Sequence, residues 1–84
     1  MYAVYILKSI SKQTYYIGHT KNVDVRLTRH NRGYVRSTKY GRPWEIVHIE
    51  LCATKKKAFQ REMQIKSYKG GVAFKKLAGI STPS

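Results

Sequence analysis

The fold of this 84-residue chain is decided by residues 15–31, which read Tyr-Tyr-Ile-Gly-His-Thr-Lys-Asn-Val-Asp-Val-Arg-Leu-Thr-Arg-His-Asn. The aromatic pair and the β-branched residue at the start predict a strand, which breaks at Gly18. A short polar turn follows, in which Asn22 is suited to cap a helix and Asp24 to occupy its first turn. The stretch therefore predicts a strand, a turn and a helix in immediate succession.

The predicted helix carries two basic residues on the side that faces the strand. At about 100° per residue, Arg26 and His30 lie on the same side as Val23 and Leu27. As an i,i+4 pair, Arg26 and His30 point together toward the neighbourhood of Tyr16. A guanidinium, an imidazole and a phenol at one strand-to-helix turn suit a phosphate. The alternative is a solvated basic helix face, which is common in proteins.

The charge balance points to a polyanionic partner. Seventeen Lys and Arg residues against four acids give a net charge of +13, which favours nucleic acid. The longest apolar run, residues 3–7, is too short to span a bilayer, and we expect no membrane association. The single cysteine, Cys52, excludes an intramolecular disulfide and a cysteine-built zinc site. We therefore expect an intracellular, cytoplasmic protein whose substrate lies in the nucleoid.

The remaining pattern predicts an α/β (α+β) domain in the order β-β-α-β-α-α. Strands are predicted over 2–8, 14–19 and 44–51, and the later helices over 55–68, after the N-cap Thr54, and 72–77. They make a small three-stranded, mainly antiparallel sheet flanked by helices. We expect one domain over residues 1–78 and a frayed tail over 79–84. A hairpin turn centred near Ile10 or Ser11 would make Tyr5 and Tyr16 near neighbours.

Residues 32–43 show no apolar period and are predicted to form a loop. The loop is the most concentrated basic and aromatic stretch of the chain, and we interpret it as holding nucleic acid. A solvated loop in a protein that is basic throughout explains the same pattern equally well. The candidate nucleic-acid-binding residues are Arg32, Tyr34, Arg36, Lys39, Tyr40 and Arg42.

Glu62 occupies an unusual position for an acid. It lies roughly 60° from Phe59 on a helical wheel, inside the arc that also holds Ala58 and Ile65. A carboxylate there either pairs with a cation or stands at the rim of a cleft as a metal ligand. Lys66, four residues later, is the candidate cation. The spacing leaves both interpretations open.

Together these features resemble the GIY-YIG nuclease family over nearly the whole chain. Its first motif corresponds to Ala3-Val4-Tyr5, without the usual glycine, and its second is intact as Tyr16-Ile17-Gly18. The other matching positions are Arg26, His30, the Gly41-Arg42-Pro43-Trp44 lead into the third strand, and Arg61-Glu62.

The resemblance implies a DNA endonuclease that depends on a divalent metal, Mg²⁺ or Mn²⁺. It would hydrolyse phosphodiester bonds in structured, damaged or single-stranded DNA, with little sequence specificity. Larger relatives attach such a domain to DNA-binding or repair modules. By resemblance, Glu62 would hold the metal and Arg26 the scissile phosphate.

The resemblance also assigns roles to the two tyrosines. Tyr5 would activate or orient the attacking water, and Tyr16 would position that water or the phosphate. Because a free phenol has a pKa near 10, Tyr5 needs a neighbouring cation or metal-bound hydroxide to act as a base at neutral pH. His30 and His19 are the candidates to supply that help. His19 stands where many relatives have lysine.

Two other classes of function compete with the enzyme. The missing first-motif glycine and the thin set of metal ligands also suit a nucleic-acid-binding module that kept the fold and lost turnover. Composition alone would suit a small RNA-associated or ribosome-associated protein. For the nuclease we expect contact with the DNA phosphate backbone, and a monomer or weak dimer.

Overall fold

The structure is a computed structural model that describes residues 1–79. The elements follow the predicted order: β1 (Tyr2–Ser9), β2 (Tyr15–Thr20), α1 (Val23–Asn31), β3 (Trp44–Cys52), α2 (Lys55–Ser67) and α3 (Val72–Leu77). Of the tail expected over 79–84, Gly79 lies in a turn and the rest lies outside the described residues. No helix within residues 1–79 has the length and apolar character needed to cross a membrane.

The prediction of an irregular loop over 32–43 is wrong in one part. Residues Arg36–Gly41 form a 3₁₀ helix between α1 and β3. Such short helices close bonds over three residues and need no apolar period. The sequence pattern therefore gave no signal for it.

The three strands form one antiparallel sheet in the order β2-β1-β3. The central strand, β1, has five consecutive buried residues, from Ala3 to Leu7. Side chains of a strand alternate between the two faces of the sheet. Continuous burial therefore means that both faces are covered, and the domain has three layers.

Each face of the sheet carries its own core. Val4 and Ile6 pack against α2 and α3, in a cluster completed by Ala58, Ile65, Phe74 and Ala78. Tyr5 and Leu7 point to the opposite face and pack with Trp44, Tyr16, Ile46 and the α1 residue Leu27. The alternation along β1 thus sends Tyr5 to the α1 face.

Side-chain caps set the starts of the two longer helices, as the sequence predicts. The Asn22 side chain accepts a hydrogen bond of 3.1 Å from the Val25 N–H at the start of α1. The Thr54 hydroxyl does the same for Lys57 at the start of α2, also at 3.1 Å. Each cap satisfies a backbone donor that has no partner within the helix.

The hairpin register brings the two tyrosines together. Tyr5 lies opposite Gly18 and Leu7 opposite Tyr16, so Tyr5 and Tyr16 are diagonal neighbours on one face. Their ring centroids are 6.3 Å apart. The predicted proximity of the two phenols is confirmed.

Candidate active site

A chain of buried hydrogen bonds starts at the Tyr5 hydroxyl. This oxygen lies 3.1 Å from Nε2 of His30, and Nδ1 of His30 lies 2.7 Å from the Thr38 hydroxyl. The Thr38 hydroxyl in turn donates to the carbonyl oxygen of Val35 at 3.2 Å. Tyr5, His30 and Thr38 are all at most 2% exposed. The central strand, α1 and the 3₁₀ segment are therefore joined through polar atoms.

The direction of these hydrogen bonds depends on the tautomer of His30. With the imidazole proton on Nδ1, Nδ1–H donates to the Thr38 oxygen, the Thr38 proton goes to Val35, and the Tyr5 hydroxyl donates to Nε2. With the imidazole proton on Nε2, the Thr38 hydroxyl donates to Nδ1 and Nε2–H donates to the Tyr5 oxygen.

Burial disfavours the charged forms of both His30 and Tyr5. It lowers the pKa of His30 to about 4, and the nearby charges of Arg26 and Arg29 add to this effect. It raises the pKa of the Tyr5 hydroxyl to about 12, an effect that the neighbouring Tyr16 strengthens and Arg26 opposes. At neutral pH the pair is therefore phenol and neutral imidazole. In the free protein a buried imidazole beside two arginines therefore stays neutral, and help from His30 to Tyr5 remains a prediction.

Gly18 makes room for the two phenols. A Cβ atom at this position would lie 2.6 Å from the Tyr5 hydroxyl oxygen and 3.1 Å from a ring carbon of Tyr16. Only glycine allows an approach this close. The Tyr16 ring also packs against the His30 ring, with 4.9 Å between centroids. The intact second motif therefore has a packing reason, which is to seat Tyr5 and Tyr16 side by side.

Arg26 brings a positive charge to the same cluster. It is partly buried on α1, and its charge acts on the pKa of both Tyr5 and His30. Within residues 1–79 no carboxylate forms an ion pair with it. A guanidinium held beside two phenols without an acidic partner is suited to bind an anion such as a phosphate.

Glu62 lies in a second group, on α2. Its side chain is buried, with one oxygen 2.6 Å from Nδ1 of His19 and the other 2.7 Å from the Lys66 ammonium. Burial acts to raise the pKa of Glu62, but the hydrogen bonds from Lys66 and His19 outweigh it and hold the pKa below its ordinary value. The carboxylate is therefore ionised. Of the two interpretations of this acid, the structure shows the ion pair with Lys66.

The two groups meet across the edge strand β2. Gly18 and His19 are consecutive, so they face opposite sides of the sheet, with the phenols beside Gly18 and Glu62 beside His19. Within residues 1–79 no hydrogen bond joins Glu62 to Tyr5. The Glu62 charge nevertheless contributes to the raised pKa of Tyr5. The candidate site is therefore a rim of side chains around β2, with the two phenols on one face of the sheet and Glu62 on the other.

Glu62 is the acidic side chain that this rim offers to a metal ion. The described part of the chain has no group of three or more His, Cys, Asp or Glu side chains that could hold a metal. One carboxylate is nevertheless enough for Mg²⁺, which keeps several waters and takes further oxygens from substrate phosphates. Lys66, with a side chain 47% exposed, holds one oxygen of Glu62 at 2.7 Å, so an ion at this carboxylate would have to displace it. Glu62 is the residue that would hold such an ion.

The predicted nucleic-acid-binding residues are exposed, and two of them line a groove. Arg32 and Tyr34 border an open depression of about 300 Å³ on the outer side of α1, whose lining also includes Arg29 and the acidic Asp24. Arg42 also has a structural contact, since it donates to the Lys39 carbonyl at 2.7 Å. The other exposed members of the set are Arg36, Lys39 and Tyr40.

Thr38 is the site residue that no sequence pattern indicates. It reaches His30 because Asn31 fixes the following segment to the start of β3. The Asn31 side chain accepts from the Trp44 N–H at 2.7 Å and donates to the Trp44 carbonyl at 3.1 Å. The Trp44 indole N–H then donates to the carbonyl of Thr38 at 2.8 Å. These contacts are between residues far apart in the chain.

Comparison with known proteins agrees with this geometry. The family model described as the GIY-YIG catalytic domain matches residues 1–75. UPF0213 proteins of Staphylococcus aureus strains Mu3, Mu50 and N315 are 42% identical to the chain over 66 residues. The aligned region covers 77% of this chain and 79% of each relative. By both measures, this chain belongs to the GIY-YIG nuclease family.

Proposed function

We propose that this protein is a metal-dependent endonuclease that hydrolyses DNA phosphodiester bonds. The substrates are structured, damaged or single-stranded DNA, cleaved with little sequence specificity. The observation that carries the proposal is the buried Tyr5–His30 hydrogen bond beside Arg26, which has no acidic partner among the described residues. A proton-transfer pair next to an anion-binding guanidinium is the arrangement that phosphodiester hydrolysis needs.

Arg26 binds the scissile phosphate in this proposal. Its guanidinium presents paired N–H donors to two phosphate oxygens and stabilises the charge that develops on them. The bound anion also changes the cluster electrostatically. A negative charge near His30 favours the protonated imidazole and so raises the low pKa of the free protein.

Tyr5 and His30 then move one proton away from the attacking water. The water gives its proton to the Tyr5 oxygen as Tyr5 passes its own proton to Nε2 of His30, so no free phenolate is needed. Thr38 holds the imidazole in the required tautomer through Nδ1. Tyr16, packed against His30, orients the water or the phosphate. His19 positions the carboxylate of Glu62.

Glu62 would hold the divalent ion, Mg²⁺ or Mn²⁺, once Lys66 has moved away. When bound, the ion supplies positive charge to the leaving oxygen and to the phosphate. The protein's own contribution is one ionised carboxylate, fixed by His19 at the edge of β2. The unit that acts is one domain over residues 1–78, a monomer or weak dimer in the cytoplasm.

The test is nicking of labelled flap and single-stranded DNA with Mg²⁺ or Mn²⁺. Arg26→Ala and Glu62→Gln should each lower the rate by about 100-fold or more, as expected for lost charge stabilisation. Lys69→Ala, at an exposed lysine after α2, is the control and should cleave like the wild type. Cleavage that persists in both site variants, or that needs no metal, would disprove the proposal.

A nucleic-acid-binding module without turnover is the second candidate. It is favoured by one observation, that both oxygens of Glu62 already have partners. This function predicts salt-sensitive binding that substitutions of Arg32, Arg36 and Arg42 weaken and Glu62→Ala leaves unchanged. Metal-dependent cleavage that disappears in Glu62→Gln would exclude it.

A further inference from the structure

A large aromatic side chain is exposed beside the candidate site. Phe59 lies on α2, one turn before Glu62, and is 52% exposed. Its ring meets the His19 ring nearly edge-on, with 6.1 Å between centroids and an interplanar angle of 80°. Because His19 holds Glu62, Phe59 borders the carboxylate side of the rim.

Two lysines share the flank of α2 that carries Phe59. At about 100° per residue, Lys55, Phe59 and Lys66 lie within roughly 40° of one another, next to Glu62. Both lysines are exposed. Glu62 is the only acid between residues 53 and 84. The flank is therefore an aromatic ring next to one exposed cation, Lys55, with the Lys66–Glu62 ion pair on its other side.

An exposed aromatic ring next to an exposed lysine matches the chemistry of single-stranded nucleic acid. Bases stack on exposed aromatic rings, and nearby lysines contact the backbone phosphates. The ring is also close to the proposed site, since it packs against His19, which holds Glu62. In a duplex the base is already stacked and paired, so its face is not available.

We propose that Phe59 stacks an unpaired DNA base beside the scissile phosphate, with Lys55 binding the adjoining backbone. The position of that phosphate rests on the proposed function. The stacking surface gives the protein a preference for strands with unpaired bases at the cleavage position. This preference comes from the base face and is independent of sequence.

The test is binding of DNA in EDTA, where no metal-dependent step takes part. Fluorescence anisotropy with a single-stranded oligonucleotide should show about fivefold to tenfold weaker binding by Phe59→Ala. Phe59→Trp should bind at least as tightly as the wild type, and Phe59→Leu should resemble the alanine variant. All variants should bind a blunt duplex within twofold of wild type. A 2-aminopurine base in the single strand should be quenched by the wild type and less so by Phe59→Ala.

The matched control is Leu51→Ala, which removes an exposed apolar side chain on β3, at the other edge of the sheet. It should leave every measurement unchanged. The proposal is overturned if Phe59→Ala binds the single strand normally, if it loses duplex binding equally, or if the effect appears only with RNA. Failure of the proposed nuclease function would appear in a different experiment, as a lack of nicking when metal is present. The binding measurements contain no metal and do not depend on that function.

Discussion

The Tyr5 hydroxyl lies 3.1 Å from Nε2 of His30 in a hydrogen bond, with both side chains almost completely removed from solvent. The contact links the central strand to α1. It therefore stabilises the fold in addition to its proposed role in catalysis, since a buried polar atom without a partner is costly.

Tyr5→Phe should separate these two contributions. The substitution keeps the ring but leaves Nε2 of His30 without its hydrogen-bond partner, which should destabilise the fold by about 1–2 kcal/mol. Nicking should fall to background, whereas the domain stays folded by circular dichroism. Tyr15→Phe is the control, because Tyr15 packs against Phe74 on the other face. If Tyr5→Phe nicks DNA normally, the proton path is wrong.

Stability should fall as the pH drops below 6.5. The pKa of His30 is about 4 in the folded state, against 6.5 for a free imidazole. Between these values the unfolded chain binds the extra proton, so unfolding becomes easier as pH falls. Urea denaturation should show a loss of about 2 kcal/mol between pH 6.5 and 5.

The pH dependence of the free energy of unfolding, measured in His30→Gln, identifies the group that takes up the proton. Glu50 and Glu62 both have lowered pKa values, so their stabilising effect is present above their ordinary pKa of 4.5 and is lost at more acidic pH. Between pH 5 and 6.5 the change in stability therefore comes mainly from His30. His30→Gln should show a clearly smaller slope there, and an unchanged slope would contradict a buried neutral imidazole.

Lys66→Met should bind Mn²⁺ more tightly. The Lys66 ammonium occupies an oxygen of Glu62 at 2.7 Å and so competes with a cation for it. Because Lys66 is half-exposed, the gain should be modest, about twofold to fivefold in affinity. Isothermal titration calorimetry without DNA measures it, with Lys69→Met as the control. Equal or weaker binding by Lys66→Met would argue against Glu62 as the metal ligand.

Gly18→Ala should damage stability and activity together. Its Cβ would lie 2.6 Å from the Tyr5 hydroxyl oxygen, and the overlap should cost about 1–3 kcal/mol. Combining it with Tyr5→Phe removes the clashing oxygen but keeps the ring carbon Cζ, which the Cβ would approach to 2.8 Å, so the two stability losses should be less than additive by about 0.5 kcal/mol. Strict additivity in chemical denaturation would mean that the overlap is relieved elsewhere.

The sequence predicted those parts of the site that depend on local periodicity. Strand alternation and the hairpin turn were enough to bring Tyr5 near Tyr16. Helical periodicity placed Arg26 and His30 on the inner side of α1, and Glu62 on the buried side of α2. Each inference needed only neighbouring residues in the chain.

The rest of the site depends on contacts between distant residues. The hydrogen bond between His30 and Thr38 depends on the Asn31–Trp44 hydrogen bonds, which no local sequence pattern indicates. The neutrality of His30 depends on its burial, and a helical wheel does not show how deeply a residue is buried. The sequence also leaves open whether Glu62 forms an ion pair or binds a metal, because the residue spacing is the same in both cases.

The position of Tyr5 in the middle strand has an evolutionary consequence. A lineage that lost cleavage would still lose stability on replacing this phenol, because its buried hydrogen bond also stabilises the fold. Descendants that only bind DNA would therefore tend to keep Tyr5, which makes it a poor marker of a working enzyme. Phe59 is exposed and makes no buried hydrogen bond, so natural variants at this position should report on DNA binding more directly.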